Sequence, residues 1–143
     1  MRISDVLRGK GHEVVTVETD ATLRAVVDIL ASRRIGAVVV LEKFRPVGVF
    51  SERDLVNALS AHGAAGLNLS VAGLMTSPII TGQPEDRIEQ ALDLMTRERI
   101  RHLPVLLEGK LIGLVSIGDL VKHRLSEKEL EANVMQDLAR MRS

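Results

Sequence analysis

The chain has 143 residues, 45% hydrophobic and 27% charged, enough to bury one substantial core and too few for several independent domains. Lysine plus arginine and aspartate plus glutamate both number 19, so the formal charge is zero, and a nucleic acid held by counterion release is not the expected partner. The lack of cysteine excludes disulfides, thiolate zinc sites, iron–sulfur clusters and a cysteine nucleophile, and fits a reducing, cytoplasmic setting.

In chain order, Met1-Arg2-Ile3-Ser4-Asp5 lacks an apolar run of signal-peptide length. No later stretch approaches the roughly 20 apolar residues of a spanning helix, so a soluble protein without membrane insertion is expected. The β-branched run Val14-Val15-Thr16-Val17 predicts a strand. Leu23, Val26, Val27 and Leu30 follow at i, i+3, i+4, i+7, the stripe of a helix packed on a sheet. Ala37 to Leu41 and Val47 to Phe50 predict a hairpin across Lys43 and Arg45. Ser51-Glu52-Arg53-Asp54 then opens a second helix, and the glycine-rich stretch from His62 to Gly66 closes the unit.

The same order returns after Pro78. Ile79-Ile80-Thr81 predicts a strand; Ile88, Ala91, Leu92 and Met95 a helix; Leu103 to Leu107 and Leu111 to Val115 a hairpin; Ser116-Ile117-Gly118-Asp119 a second helix. Val14 to Leu59 corresponds to Ile79 to Arg124 at a constant offset of 65 with no gap, pairing Thr16 with Thr81, Gly48 with Gly113, Ser51 with Ser116 and Asp54 with Asp119. The expected fold is an α/β (α+β) tandem of pseudo-two-fold β-α-β-β-α repeats packing sheet to sheet, since one copy of about 50 residues buries too little surface alone. Repeat boundaries fall at 1–66 and 67–125, and Ser126-Glu127-Lys128-Glu129 is a capping box predicted to open a separate C-terminal helix over 126–143. Its stripe Leu130, Val134, Leu138 and Met141 either covers the module's own surface or meets its mate in a dimer.

The strongest chemical signal is Gly-x-x-Ser-x-x-Asp, present as Gly48 to Asp54 and Gly113 to Asp119 at a strand-to-helix junction. Free N–H groups and the positive helix end suit a phosphate there, the serine can donate to it, and an aspartate one turn in can accept from a ribose diol. The same Ser-x-x-Asp is also a capping box that needs no ligand and stabilises by about 1 kcal/mol. Local chemistry leaves both readings open. Thr16 and Thr81 end the first strands, and Ile35-Gly36-Ala37 and Ile100-Arg101-His102 enter the second strands at matching positions, so each set can join its own motif in one cleft. Arg97 and Arg99 read as a solvated helix end, whereas Arg101 and His102 stand at the cleft mouth, where a guanidinium can hold a phosphate bidentately.

With both Gly-x-x-Ser-x-x-Asp motifs, Leu74-Met75-Thr76 ahead of the second copy and the run Arg99-Ile100-Arg101-His102-Leu103-Pro104-Val105, the duplicated unit resembles a pair of cystathionine-β-synthase (CBS) domains from about Asp5 to Leu125. The resemblance implies a regulatory pair that binds an adenosine ligand, AMP, ATP or NAD, in two clefts. It assigns Thr16, Ile35, Gly36, Ala37, Ser51, Arg53 and Asp54 to one cleft, and Thr81, Arg101, His102, Leu103, Pro104, Ser116, Gly118 and Asp119 to the other. It also implies a homodimer and a regulated protein on another chain. Arg53 is replaced by Gly118 in the second copy, and Gly36-Ala37 by Arg101-His102, so unequal affinities or two different adenosine ligands are expected.

An enzyme is not expected. Gly113-x-x-x-x-Gly118 is followed by Asp119 where a phosphate loop needs lysine, and no Gly-x-Ser-x-Gly, His-Glu-x-x-His or Gly-x-Gly-x-x-Gly occurs. His102 has no second ligand at metal spacing in its element, and His12, His62 and His123 carry no assigned role. The competing expectation is a ligand-free interaction module that regulates a transporter or metabolic enzyme by docking, with both Ser-x-x-Asp motifs acting only as caps.

Overall fold

A computed structural model describes residues 1–142. It begins with α1 (Ile3–Lys10) and β1 (Thr16–Glu18), then α2 (Leu23–Arg33), β2 (Ala37–Glu42), β3 (Arg45–Ser51) and α3 (Glu52–His62). Two 3₁₀ turns, Gly63–Asn68 and Val71–Gly73, lead to α4 (Ile88–Glu98), β4 (His102–Leu107), β5 (Lys110–Ser116) and α5 (Ile117–Arg142). β1 pairs parallel with β2, and β2 antiparallel with β3, while β4 and β5 make a two-stranded antiparallel sheet. Both hairpins carry a bulge at the corresponding step, Val40/Leu41 and Val105/Leu106. Both turn on two left-handed residues, Lys43-Phe44 and Glu108-Gly109, as the twist of a two-residue hairpin requires.

The periodic helices lie where their stripes put them. Leu23, Val26 and Leu30 of α2, and Ile88, Ala91 and Met95 of α4, are the buried faces. Each helix ends on an arginine in the left-handed region, Arg34 and Arg99.

Three expectations are corrected. Ile79-Ile80-Thr81 is not a strand; the second copy keeps a single parallel bridge, Gly82 to Val105, where the first has the β1–β2 ladder. Gly82 stands where Val17 stands, beneath Leu103 and Ile3, and a Cβ there would lie 2.8 Å from Leu103 Cδ2. Pro84, without an N–H, limits extension of that pairing. In the first copy the strand is displaced to Thr16–Glu18, leaving Val14 and Val15 outside it. Finally, no helix starts at Ser126: α5 runs unbroken from Ile117, and the Ser126 hydroxyl donates to the Lys122 carbonyl inside it. The helix expected over 126–143 is therefore the distal part of α5, with Ser143 outside the described residues.

The two cores cross the sequence boundary between the repeats. Ile3, Val6 and Leu7 of α1 pack with Ile88, Met95, Leu103, Val105, Val115 and Leu120 of the second copy. Val71, which follows the first copy, packs with Leu23, Val26, Val38, Val40 and Phe50 of the first. Val6 and Val71 are again 65 residues apart, so each preceding segment lies on the repeat that does not follow it. Two equivalent glycines admit the crossing segments. A Cβ at Gly48 would meet Met75 Sδ at 2.6 Å and the Thr76 carbonyl at 2.9 Å, and one at Gly113 would meet Leu7 Cδ2 at 2.6 Å.

Candidate functional site

The exchange decides how the sites are assembled. A hollow of about 560 Å³ opens over the first motif and is lined by Ser51, Glu52, Arg53 and Asp54, by Thr76 and Pro78, and by Ile79, Ile80, Arg99, Ile100, Arg101 and His102 of the second copy. A smaller one of about 400 Å³ opens over Ser116 and Asp119 and is lined by Lys10, Val14, Val15, Arg33, Ile35, Gly36 and Ala37. Each motif thus faces the strand entrance of the other copy, which corrects the expected grouping within one repeat. The basic groups divide between the hollows, Arg53, Arg99 and Arg101 with Glu52, Asp54 and Glu98 in the larger, and Lys10 and Arg33 with Glu13 and Asp119 in the smaller, so carboxylates match the cations in number in each.

Five expected residues line neither hollow. Thr16 is exposed on β1 beside the buried Val17, and Thr81 sits just beyond the lining Ile80. Leu103 is fully buried in the second core, and Pro104 is buried on β4 opposite Leu114. Gly118 is exposed in the first turn of α5. Arg99, read as a solvated helix end, instead lines the larger hollow from its left-handed cap position. Lys10, Ile79 and Ile80 carry no site signal in the sequence, and Thr76, part of the Leu74-Met75-Thr76 motif, is assigned to no cleft by it, because their placement follows from which sheet the crossing segments join.

Both aspartates cap their helices. Asp54 Oδ2 accepts from the Ser51 N–H at 2.9 Å and from the Ser51 hydroxyl at 3.2 Å, and Oδ1 accepts from the Thr76 hydroxyl at 2.9 Å. A carboxylate offers about four lone-pair sites, so three partners leave about one unused on a residue that lines the hollow. Asp119 Oδ2 accepts from the Ser116 N–H at 2.9 Å and from Lys10 Nζ at 2.5 Å, while the Asp119 N–H donates to Ser116 Oγ at 3.0 Å. Lys10 also donates to the Leu114 carbonyl at 2.7 Å, tying α1 across this hollow. Burial pushes the Asp119 carboxyl up, but the Lys10 ammonium and the Ser116 donors outweigh it and hold the group below the ordinary carboxylate value. The carboxylates therefore differ in what the preceding segment brings: a neutral hydroxyl to Asp54, a cation to Asp119.

His102 and Gly36 line both hollows. A Cβ on Gly36 would stand 3.3 Å from His102 Nε2, so this glycine lets the imidazole close against the backbone and form a shared wall. Burial, with Lys10 and Arg101 nearby, pushes the imidazole below its usual value against the opposing pull of Asp119 and Glu52. It is neutral at pH 7 and can accept or donate one hydrogen bond into either hollow. Among the described residues no helix is long and apolar enough to cross a membrane.

Comparisons with known proteins agree with this architecture. A mitochondrial CBS domain-containing protein of Arabidopsis thaliana is 34% identical over 138 residues, covering 90% of this chain and 67% of its own. The crystal structure of a CBS-domain containing protein of Agrobacterium tumefaciens superposes with a TM-score of 0.84 at 41% identity, covering 87% of this chain and 99% of that one. A CBS domain protein of Pyrobaculum aerophilum, solved in complex with AMP, superposes with a TM-score of 0.78 at 32% identity over 92% of this chain and 99% of that one. The CBS domain profile matches twice, over residues 3–61 and 71–126, and with two exchanged repeats and paired hollows already in view, the chain belongs to the CBS domain family.

Proposed function

We propose that this protein is a regulatory, non-enzymatic module that binds an adenosine phosphate, AMP, ATP or NAD, in the hollow over Asp54 and passes its occupancy to a partner protein. The observation that carries the reading is the joint placement of three chemistries in that hollow. Asp54 supplies an acceptor for the ribose diol; Arg53, Arg99 and Arg101 supply guanidinium donors for phosphate; and Val49, Val56, Ile79, Ile80 and Ile100 supply an apolar wall for the base. The AMP complex of the Pyrobaculum relative supports the ligand class. The Asp119 hollow is the weaker site, because Lys10 already engages its carboxylate. Binding signals only through a difference in affinity between two arrangements of the module or its complex.

Titration calorimetry with AMP, ATP, NAD and adenosine tests the proposal. The phosphorylated compounds bind more tightly than adenosine, and a ligand at 100 times its Kd raises stability by about 2.7 kcal/mol, read as a higher Tm. Because the chain has no Trp or Tyr, nucleotide retained through purification is visible as a 260 nm band released on denaturation. A second reading, a docking module without ligand, is favoured by both Ser-x-x-Asp motifs being satisfied within the chain. It is upheld if none of the four compounds binds.

A further inference from the structure

The imidazole of His102 is the titratable group that lines both hollows, and the nucleotide reading gives it no task. Its place is fixed: β4 begins at His102, the residue pairs with Ser116 across the hairpin, and the ring rests on Gly36, where a Cβ would stand 3.3 Å from Nε2. The residue is half-buried, and among the described residues its ring makes no hydrogen bond within the chain. A neutral imidazole so placed leaves one donor and one acceptor to whatever fills the hollow.

Every element around the ring carries charge. Asp119 of α5 and Glu52 of α3 draw a proton toward it, while Lys10 of α1 and the adjacent Arg101 push one away. Farther along the larger hollow lie Arg53 and Asp54 of α3 with Glu98 and Arg99 at the end of α4, and along the smaller lie Glu13 and Arg33. Cations and carboxylates are equal in number in each hollow, so the fixed charges largely offset one another and burial tips the ring to its neutral form at pH 7. A phosphate held by Arg101, one residue away, adds negative charge with no cation to offset it. An opposite charge at such range strengthens a group's hold on its proton by about tenfold or more, and the second ring N–H then has a phosphate oxygen to donate to. We propose that His102 links the larger hollow to pH: an adenosine phosphate enters together with a proton taken from solvent onto this imidazole, so that affinity rises as the medium turns acid. The inference rests on the nucleotide reading and adds to it the condition under which the hollow fills.

Proton NMR reads the ring itself, which matters because the second ionisation of a phosphate monoester, about 6, falls in the same range. The Cε1–H resonance of His102, identified among the four histidines by its loss in His102→Asn or His102→Gln, is followed from about pH 5 to about pH 8 with and without AMP. Saturating AMP raises its midpoint by about one pH unit. His12, His62 and His123 line neither hollow, and their midpoints stay where they are. In calorimetry His102→Asn binds AMP about fivefold or more weaker than the wild type at about pH 5.5, and within about threefold of it at about pH 8, where both side chains are neutral. Equal Tm of variant and wild type at about pH 8 separates lost linkage from lost folding. A His102 midpoint that stays or falls with AMP overturns the inference alone, as does a ratio of the two affinities that is the same at both pH values. No binding of AMP anywhere in the range overturns it together with the nucleotide reading.

Discussion

The two repeats carry the same motif over the same fold, yet their aspartates meet different company. Asp54 is met by the hydroxyl of Thr76 and Asp119 by the ammonium of Lys10, each from the segment that crosses from the opposite side of the chain. Lys10 occupies the repeat position of Met75, one residue before Thr76, so a single step in a pseudo-symmetric framework turns an open acceptor into a closed ion pair. Duplication copies the motif, and the crossing segments make the copies unequal.

The largest effect expected from this contrast is on binding. Asp54→Ala weakens AMP binding by about a hundredfold through loss of a charged acceptor, whereas Asp119→Ala changes it by less than about threefold. Equal losses in calorimetry would break the comparison. Lys10→Met, which gives the second half the residue of the first, frees the Asp119 carboxylate and should add a second, weaker binding event to the isotherm. A stoichiometry that stays at one would show that Lys10 is not what closes the smaller hollow.

Stability sharpens the contrast next. Gly113→Ala presses on the side chain of Leu7, which is fully buried but can change rotamer at a packing cost, and should cost about 1–2 kcal/mol in urea unfolding. Gly48→Ala presses also on the Thr76 carbonyl, which cannot swing aside, and should cost about 3 kcal/mol or more and weaken AMP binding, because Thr76 holds Asp54. A larger loss at Gly113 would reverse the order.

The smallest effect is on pH dependence. The imidazole of His102 is lowered in the folded protein, so between that lowered value and the ordinary 6.5 the unfolded chain binds more protons, and stability falls as pH drops through this window. Asp119, also lowered, contributes stability above the ordinary carboxylate value that is lost at more acid pH. His102→Asn should flatten the profile only below the ordinary 6.5, whereas Lys10→Met should flatten the acid limb and also narrow the His102 window, because Lys10 is one of the charges that lower the imidazole, as read by Tm against pH.

Much of this architecture is legible in the residues. The offset of 65 shows by self-comparison of the chain, and the apolar stripes of α2 and α4, the hairpins and the two Ser-x-x-Asp caps depend on neighbours within a few turns of chain, where periodicity and turn chemistry act. The pairing of Lys10 with Asp119 spans 109 residues, and no local pattern tells α1 which sheet to join. The same limit explains why Ile79 and Ile80 read as a strand while they form an apolar wall: β-branched residues fit either place, and Gly82 with Pro84 decides between them. Ser126 misleads for another reason. Ser-x-x-Glu marks a helix start only when something has ended the previous helix, and nothing between Asp119 and Leu125 does.

The thin partition of Gly36 and His102 makes the two hollows neighbours through one ring instead of remote from each other. A molecule bound on one side, as proposed for the Asp54 hollow, would lean on the same imidazole that bounds the other, so the two chambers would be felt through a single ring.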